Sequence, residues 1–240
     1  MLGREFMDAD PTSAAAQLLF EQDQVVRQRD NALLRSARDG RVGREALRRV
    51  VQADQLCLET ETVAYAVLLA RFPSGPAADL FTGLNDALRS LKPSLDRCAR
   101  ALNSSPSSAL DPSKDANAFA FPRAVSWMCL HAGPVDAALA LRSDFAAYTR
   151  ESRELLRTLA DGGTEVPEAF RDHYSLPTPT ELLDLAAAVV EDGIREGDTP
   201  DRAASVADML LASLDGFWLF AAGVHRAPSA VDAGPRSRQG

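Results

Sequence analysis

Histidine is scarce in this chain of 240 residues, with three in all, and aromatic side chains make up only 6%. His131, His173 and His225 are the whole supply, none precedes residue 131, and none forms an E-x-x-H pair. A heme usually takes an axial histidine, and a di-iron bundle combines several carboxylates with two or more histidines, so no metal or heme is expected. Cys57, Cys98 and Cys129 are an odd count without a C-x-x-C pair, which argues against a disulfide framework or a zinc site. The sequence has no G-x-G-x-x-G or P-loop stretch, so no nucleotide cofactor is expected either. It has no secretory-type opening and no uninterrupted apolar run of membrane-spanning length, absences that point to the cytoplasm and to no membrane partner. Positive charge is in deficit: 26 basic against 34 acidic residues leave −8, which repels phosphate backbones and disfavours a nucleic-acid partner. The basic run Arg41, Arg44, Arg48 and Arg49 reads as the solvated face of a helix.

What is present is helix. Apolar residues make up 46%, carried mostly by alanine and leucine, which lose little side-chain freedom in a helix. No alternating strand pattern and no internal repeat are visible. A first helix is predicted from Pro11 to Asp39, capped by Asp10 and ended by Gly40. A second runs from Arg44 to Arg71, with Leu47, Val50, Val51, Leu58, Val67 and Leu68 recurring at mostly three- to four-residue spacings before Pro73. A third opens at Ser74-Gly75-Pro76 and should kink or split at Lys92-Pro93 before reaching Leu102. After a Ser/Asn/Pro-rich loop, a fourth spans Asp115 to His131 with Pro122 as an irregularity. A fifth runs from Gly133-Pro134 to Gly162-Gly163, and Pro167 to Tyr174 reads as a short helix. Thr178 and Glu181 form a capping box for the next, and Thr199-Pro200 starts the last. The expected architecture is an all-α bundle of about seven to eight helices: a flexible stretch over 1–10, one domain over 11–225 and a disordered tail over 226–240.

Several short stretches, in order, carry a resemblance. Asn31-Ala-Leu-Leu-Arg-Ser-Ala-Arg-Asp-Gly40 is followed by a helix bearing Gln52, Asp54 and Cys57, similar to an Asp-Gly turn ahead of a Q-D-x-x-Y-L motif. Ser143-Asp144-Phe-Ala-Ala-Tyr148 resembles a P-C-x-x-x-Y stretch, Phe170-Arg-Asp-His-Tyr174 a W-x-x-x-Y element, and Leu214-Asp-Gly-Phe217-Trp218 an E-x-x-F-W motif. Over roughly residues 14 to 224 the order and spacing resemble the TenA/thiaminase II branch of the heme-oxygenase-like helical bundles. The resemblance implies a homo-oligomer (dimer or tetramer) and hydrolysis of thiamin or of its degraded aminopyrimidine. In that chemistry a cysteine attacks the pyrimidine while a carboxylate and tyrosines bind ring nitrogens and handle protons. Asp54 takes the place of the aspartate that bonds the pyrimidine amino group, with Gln52 one residue out of register. Tyr148 and Tyr174 match family tyrosines. Cys57 stands where a tyrosine is expected, Phe121 near another, Asp144 in place of the nucleophilic cysteine, and Leu214 in place of the catalytic glutamate beside Asp215.

The residues read on their own terms leave alternatives open. Asp54, Cys57 and Glu61 are three and four apart, so they share one helix face, which lines a cavity or faces solvent. Cys57 is a substitute nucleophile or a small buried hydrophobe. Asp144 and Tyr148, one turn apart, are an acid/base pair or a surface carboxylate beside a half-buried phenol. His173 reads as polar surface, and Trp127, Phe217 and Trp218 as core or pocket wall. The expectation is an enclosed pocket for a small heteroaromatic ligand of the aminopyrimidine type. Asp54, Asp144 and Tyr148 would act on it, with Cys57, Glu61, Phe121, Tyr174, Leu214, Asp215 and Trp218 around it, and no cofactor. Two other readings stay open: a metal-independent tailoring enzyme of secondary metabolism on the same scaffold, and a non-catalytic regulatory module.

Overall fold

The computed structural model describes residues 11–177 and 179–224, with side chains from residue 14 onward. Its elements are α1 (Pro11–Gln28), α2 (Ala32–Arg38), α3 (Arg44–Arg71), α4 (Gly75–Leu102), α5 (Ala120–His131), α6 (Pro134–Asp161), α7 (Glu168–Tyr174), α8 (Thr180–Glu196) and α9 (Pro200–Ala221). A short 3-10 turn at Ser107–Ala109 follows α4, and no strand occurs among the described residues. The expected caps Asp10 and Thr178, together with His225 and both terminal stretches, lie outside the described residues.

Helix α6 sits at the centre and packs on α9, α8, α2, α1 and α7. Its first two turns are buried on all sides, from Val135 to Leu141. Ala137, Ala138, Ala140 and Ala147 let the neighbouring backbones approach closely. Asp136 closes its first turn by accepting from the Gly133 amide (2.9 Å) and pairs with Arg202 of α9 (2.9 Å). Helices α3 and α4 form a second layer, with α5 against α3 and α9. Helix α9 is long and apolar enough to cross a membrane by composition, yet Leu210, Leu211, Leu214, Phe217, Trp218 and Phe220 are buried in the bundle, so its apolar length is core.

Several boundaries differ from the sequence expectation, each for a local reason. The predicted first helix is two helices. Asn31 is extended (φ −122°) and its side chain accepts from the Leu34 amide at 2.9 Å, capping α2. The break turns Arg29 inward, where its Nε donates to Glu151 Oε1 at 3.0 Å, while Asn31 Nδ2 donates to Glu151 Oε2 at 3.2 Å. Glu151 is fully buried, and a lone charge there would be destabilising without these donors. Helix α4 runs unsplit through Pro93: both Pro93 and Arg89 are exposed, so the Arg89 carbonyl that loses its donor can face water. Helix α5 starts at Ala120 instead of Asp115, which moves Pro122 into the first turn where no amide is needed. The Asp115 carboxylate folds back to accept from the Asp111 amide at 2.9 Å, closing a turn there. The basic run is not merely a solvated face. Arg44 and Arg48 donate to the carbonyls of Ala101 (2.6 Å) and Leu102 (2.8 Å) at the end of α4, and Arg49 to Ala221 (3.1 Å) at the end of α9. Cations at helix C-termini meet orphan carbonyls and the negative end of the dipole.

A close crossing is that of α9 on the segment entering α5. A Cβ at Gly216 would lie 2.5 Å from Ala120 Cβ and 2.9 Å from the Asn117 carbonyl oxygen. Gly216→Ala is therefore expected to destabilise the chain by about 1–3 kcal/mol through overpacking. The reading is a lower denaturant midpoint at unchanged m-value, and an unshifted midpoint would mean the crossing is looser than it looks.

Candidate functional site

Helix periodicity places Asp54, Cys57 and Glu61 along one side of α3, and packing turns that side inward. Opposite stand Asp144, Phe145 and Tyr148 of α6, His173 of α7, Phe121 of α5 and Leu214 and Phe217 of α9, with Leu88, Leu91 and Leu95 of α4 closing the remaining side. Together these residues line a cavity of about 80 Å³ in the bundle interior.

Asp54 is its hub. Asp54 Oδ2 accepts from the Tyr148 hydroxyl at 2.7 Å and from the Tyr174 hydroxyl at 2.8 Å, and His173 Nε2 stands 3.7 Å away. Ser94 Oγ holds the other ring nitrogen, Nδ1, at 2.8 Å and so fixes the plane of the imidazole. Deeper in, the Tyr65 hydroxyl donates to Glu61 Oε1 at 2.6 Å. The chain has only three tyrosines, and all three give their hydroxyls to carboxyls of this one cavity. Tyr148 is braced by Trp218, stacked at 5.9 Å, and by the edge of Phe217 at 5.9 Å. Tyr174 packs on Phe170 at 4.2 Å.

Burial and like charge set the proton inventory. Glu61 is pushed up from 4.5 to about 7, chiefly by burial, with the Tyr65 hydrogen bond opposing and Asp54 adding to the rise. Asp144 is pushed well above the usual carboxylate range, first by burial and then by Glu61, with Arg29 opposing. Its Oδ1 has no hydrogen-bond partner among the described residues. The Cys57 thiol is raised first by burial and then by Glu61, Asp54 and Asp144 around it, which favours the thiol over the thiolate. The site is thus rich in protons and acceptors and poor in cations. Among the described residues no three His, Cys, Asp or Glu side chains form a set that could hold a metal ion.

The structure gathers Asp54, Asp144, Tyr148, Cys57, Glu61, Phe121 and Leu214 around the cavity, with Tyr174 bonded to Asp54 and Trp218 behind Tyr148. Asp215 is not among them. Its side chain is half exposed on the outer face of α9, where it accepts from Arg29 at 2.8 Å, because one residue along a helix turns a side chain by about 100°. Trp127 is 44% exposed on α5 and stacks near His131, so it is neither core nor pocket wall. His173 is buried and faces the cavity, contrary to a surface reading. The signal that could have found it is the spacing Phe170, His173, Tyr174, one face of a short helix.

A second cavity of about 370 Å³ abuts the first and shares Leu91, Phe145, Tyr148 and His173 as walls. Ala87, Ser90, Thr149, Ser152, Tyr174 and Leu176 line its other sides, together with Pro177 and Pro179.

No protein-family model matches the chain, and no curated protein matches it by sequence. Solved structures do. The chain is similar to a TenA homologue from Pyrococcus furiosus, with a TM-score of 0.61 at 14% identity over 87% of this chain and 99% of that one. It is also similar to a TenA homologue from Pseudomonas syringae pv. tomato, with a TM-score of 0.62 at 17% identity over 92% of this chain and 97% of that one. The fold is therefore the all-α bundle of the TenA homologues, as the collinear motifs led one to expect.

The raised Glu61 gives a pH signature. In the unfolded chain the carboxyl ionises near 4.5, while in the folded chain it holds its proton to about 7. Its stability contribution is fully present below 4.5 and is lost as pH rises through about 7, with Asp144 adding a slope of the same sign. Glu61→Gln, which keeps an acceptor for Tyr65, should flatten the fall in unfolding midpoint between these pH values. Parallel pH profiles for wild type and variant would show Glu61 to be ordinary.

Proposed function

We propose that the chain is a divergent TenA-type protein whose inner cavity binds a small basic heteroaromatic of the aminopyrimidine type, and that any turnover there is acid/base chemistry without a covalent cysteine intermediate. The observation that carries this reading is the Asp54 carboxyl held by two phenols at the edge of a cavity with two proton-bearing acids. An amino group beside a ring nitrogen offers a donor for Asp54 Oδ1, the carboxylate oxygen that the two phenols leave aside, and an acceptor for a protonated carboxyl. In an interior poor in cations, a ligand that gains a proton on binding is favoured electrostatically.

The roles follow from which groups keep their protons. Asp144 occupies the position where the resemblance implies a cysteine, and a carboxyl there supplies a proton instead of a carbon-bonding sulfur. Glu61, near neutrality in its pKa, suits exchange in either direction: it can take a proton from a water and return one to a leaving amine. Tyr148 and Tyr174 hold Asp54 in a fixed orientation, which pre-pays the ordering of the acceptor. Leu214, apolar where the resemblance implies a catalytic glutamate, favours a second reading in which the pocket binds and does not turn over.

The test is thermal unfolding against thiamin, its aminopyrimidine breakdown products and unrelated heteroaromatics. A ligand that binds only the folded state at ~100 times its dissociation constant adds about 2.7 kcal/mol. Aminopyrimidines alone should raise the midpoint, and Asp54→Asn, which puts an amide donor against the ligand's amino group, should lower affinity by about tenfold or more. Release of ammonia or amine from bound aminopyrimidine, abolished in Asp144→Ala, separates an enzyme from a binding module. No shift with any pyrimidine would discard this reading.

A further inference from the structure

The walls around Asp54 are rich in oxygen and carry one side-chain nitrogen, the imidazole of His173. Among the described residues no lysine, arginine, asparagine or glutamine lines that cavity. His173 stands at an unspecified position of the W-x-x-x-Y element that Phe170-Arg-Asp-His-Tyr174 resembles, so the resemblance gives it no role. Yet it is only 8% exposed, and a buried imidazole needs partners for both ring nitrogens.

One nitrogen is accounted for. Ser94 Oγ lies 2.8 Å from Nδ1. Other helical hydroxyls of the chain turn back onto the carbonyl four residues earlier, as Thr60 does on Leu56, Ser90 on Asp86 and Ser126 on Pro122. Ser94 does not: the imidazole is its one hydrogen-bond partner among the described residues, so Nδ1 is the acceptor its proton finds. Ser94 therefore donates, and the ring proton sits on Nε2. The other nitrogen is left over. Nε2 stands 3.7 Å from Asp54 Oδ2, beyond hydrogen-bond range, and that oxygen already accepts from Tyr148 and Tyr174, which occupy its two lone pairs. The nearby carboxyl still favours a proton on this side of the ring, in agreement with the Ser94 bond. Tyr174, edge-on at 4.7 Å, and Ser94 together keep the imidazole from turning. An oriented N–H thus faces the cavity without an acceptor, an arrangement unfavourable by about 1 kcal/mol or more until something fills it.

We propose that His173 is a specificity-determining residue, giving its Nε2 proton to an acceptor atom of the molecule bound beside Asp54, and that Ser94 is its positioning residue, holding the imidazole in that tautomer. The ligand must then carry a second acceptor besides the one offered to a protonated carboxyl. A pyrimidine ring, with two nitrogens, meets both demands where a pyridine meets one. This deepens the head-group reading above and rests on it, and the experiment separates the two.

The tautomer is read first, by imidazole nitrogen NMR on the isotope-labelled full chain in mildly alkaline buffer, with His173 assigned by the loss of its signals in His173→Gln. The expected spectrum has Nε2 protonated and Nδ1 bare, and added 4-aminopyrimidine moves Nε2 more than Nδ1. A proton on Nδ1 overturns the proposal, because Nε2 would then have none to give. By calorimetry, His173→Phe, which keeps a ring against Tyr174 and removes both nitrogens, should weaken 4-aminopyrimidine by about tenfold or more. Ser94→Ala should weaken it by about threefold and blur the tautomer preference, and Ser94→Thr, which keeps a hydroxyl, should restore both. Full affinity in His173→Phe overturns the donor, and identical behaviour of the two Ser94 variants overturns the role of Ser94. The Nε2 shift is read on the unaltered chain, so it decides the matter even where His173→Phe fails to fold. If 4-aminopyrimidine does not bind at all, the head-group reading falls. The donor is then judged with pyridine N-oxide, a neutral acceptor without an amino group for Asp54: binding that moves Nε2 and is lost in His173→Phe keeps it, and no such binding discards it.

Discussion

Two phenols share one oxygen. Asp54 Oδ2 receives Tyr148 from α6 and Tyr174 from α7, at 2.7 and 2.8 Å, while Asp54 itself rides on α3. Three helices distant in sequence can meet at one atom only if each is held in axial register by its own packing. The buried small residues of α6, the stacking of Tyr148 on Trp218 and of Tyr174 on Phe170, and the bond from Ser94 to His173 supply that register. The cavity is the space left inside this tripod, so its shape depends on the same contacts.

The electrostatic character of the site follows from what surrounds that hub. Three carboxyls face one apolar chamber and the nearest cation to act on it, Arg29, is already engaged by Glu151 and Asp215. Like charges in a poorly solvated space cannot all ionise, and protons are retained on Glu61 and Asp144. The same field holds Cys57 as a thiol. A single cause thus gives the chamber its acids and withholds a thiolate.

Much of the helical framework was legible because its signals are local. The bounds of α3, α6 and α9 follow from a Pro or Gly at each end and three- to four-residue apolar spacing between them. Where the prediction missed, a long-range contact had outweighed a local preference. The Arg29–Glu151 pair rewards a break between α1 and α2, and the packing of α4 on α3, α7 and α8 carries one helix through Pro93. The arginines of α3, which read as a charged face, turned out to cap the ends of α4 and α9. The site was legible in the same uneven way. Asp54, Cys57 and Glu61 share a face by periodicity alone, whereas Asp215 and Trp127 point elsewhere because rotation about a helix axis is settled by its neighbours.

The sequence by itself determined that the chain is all-α, where most helices start and stop, and which residue types were at hand for chemistry: few histidines, three scattered cysteines and carboxylates at helical spacing. These depend on backbone sterics, capping and side-chain periodicity, all of which act within a few residues. Only the tertiary structure decided that His173 faces inward, that every tyrosine serves a carboxyl of the one cavity, and that a second, apolar space adjoins the first. Those facts depend on how distant helices are rotated and translated against one another, and that is fixed by the summed packing of the whole core, which no local stretch of sequence contains.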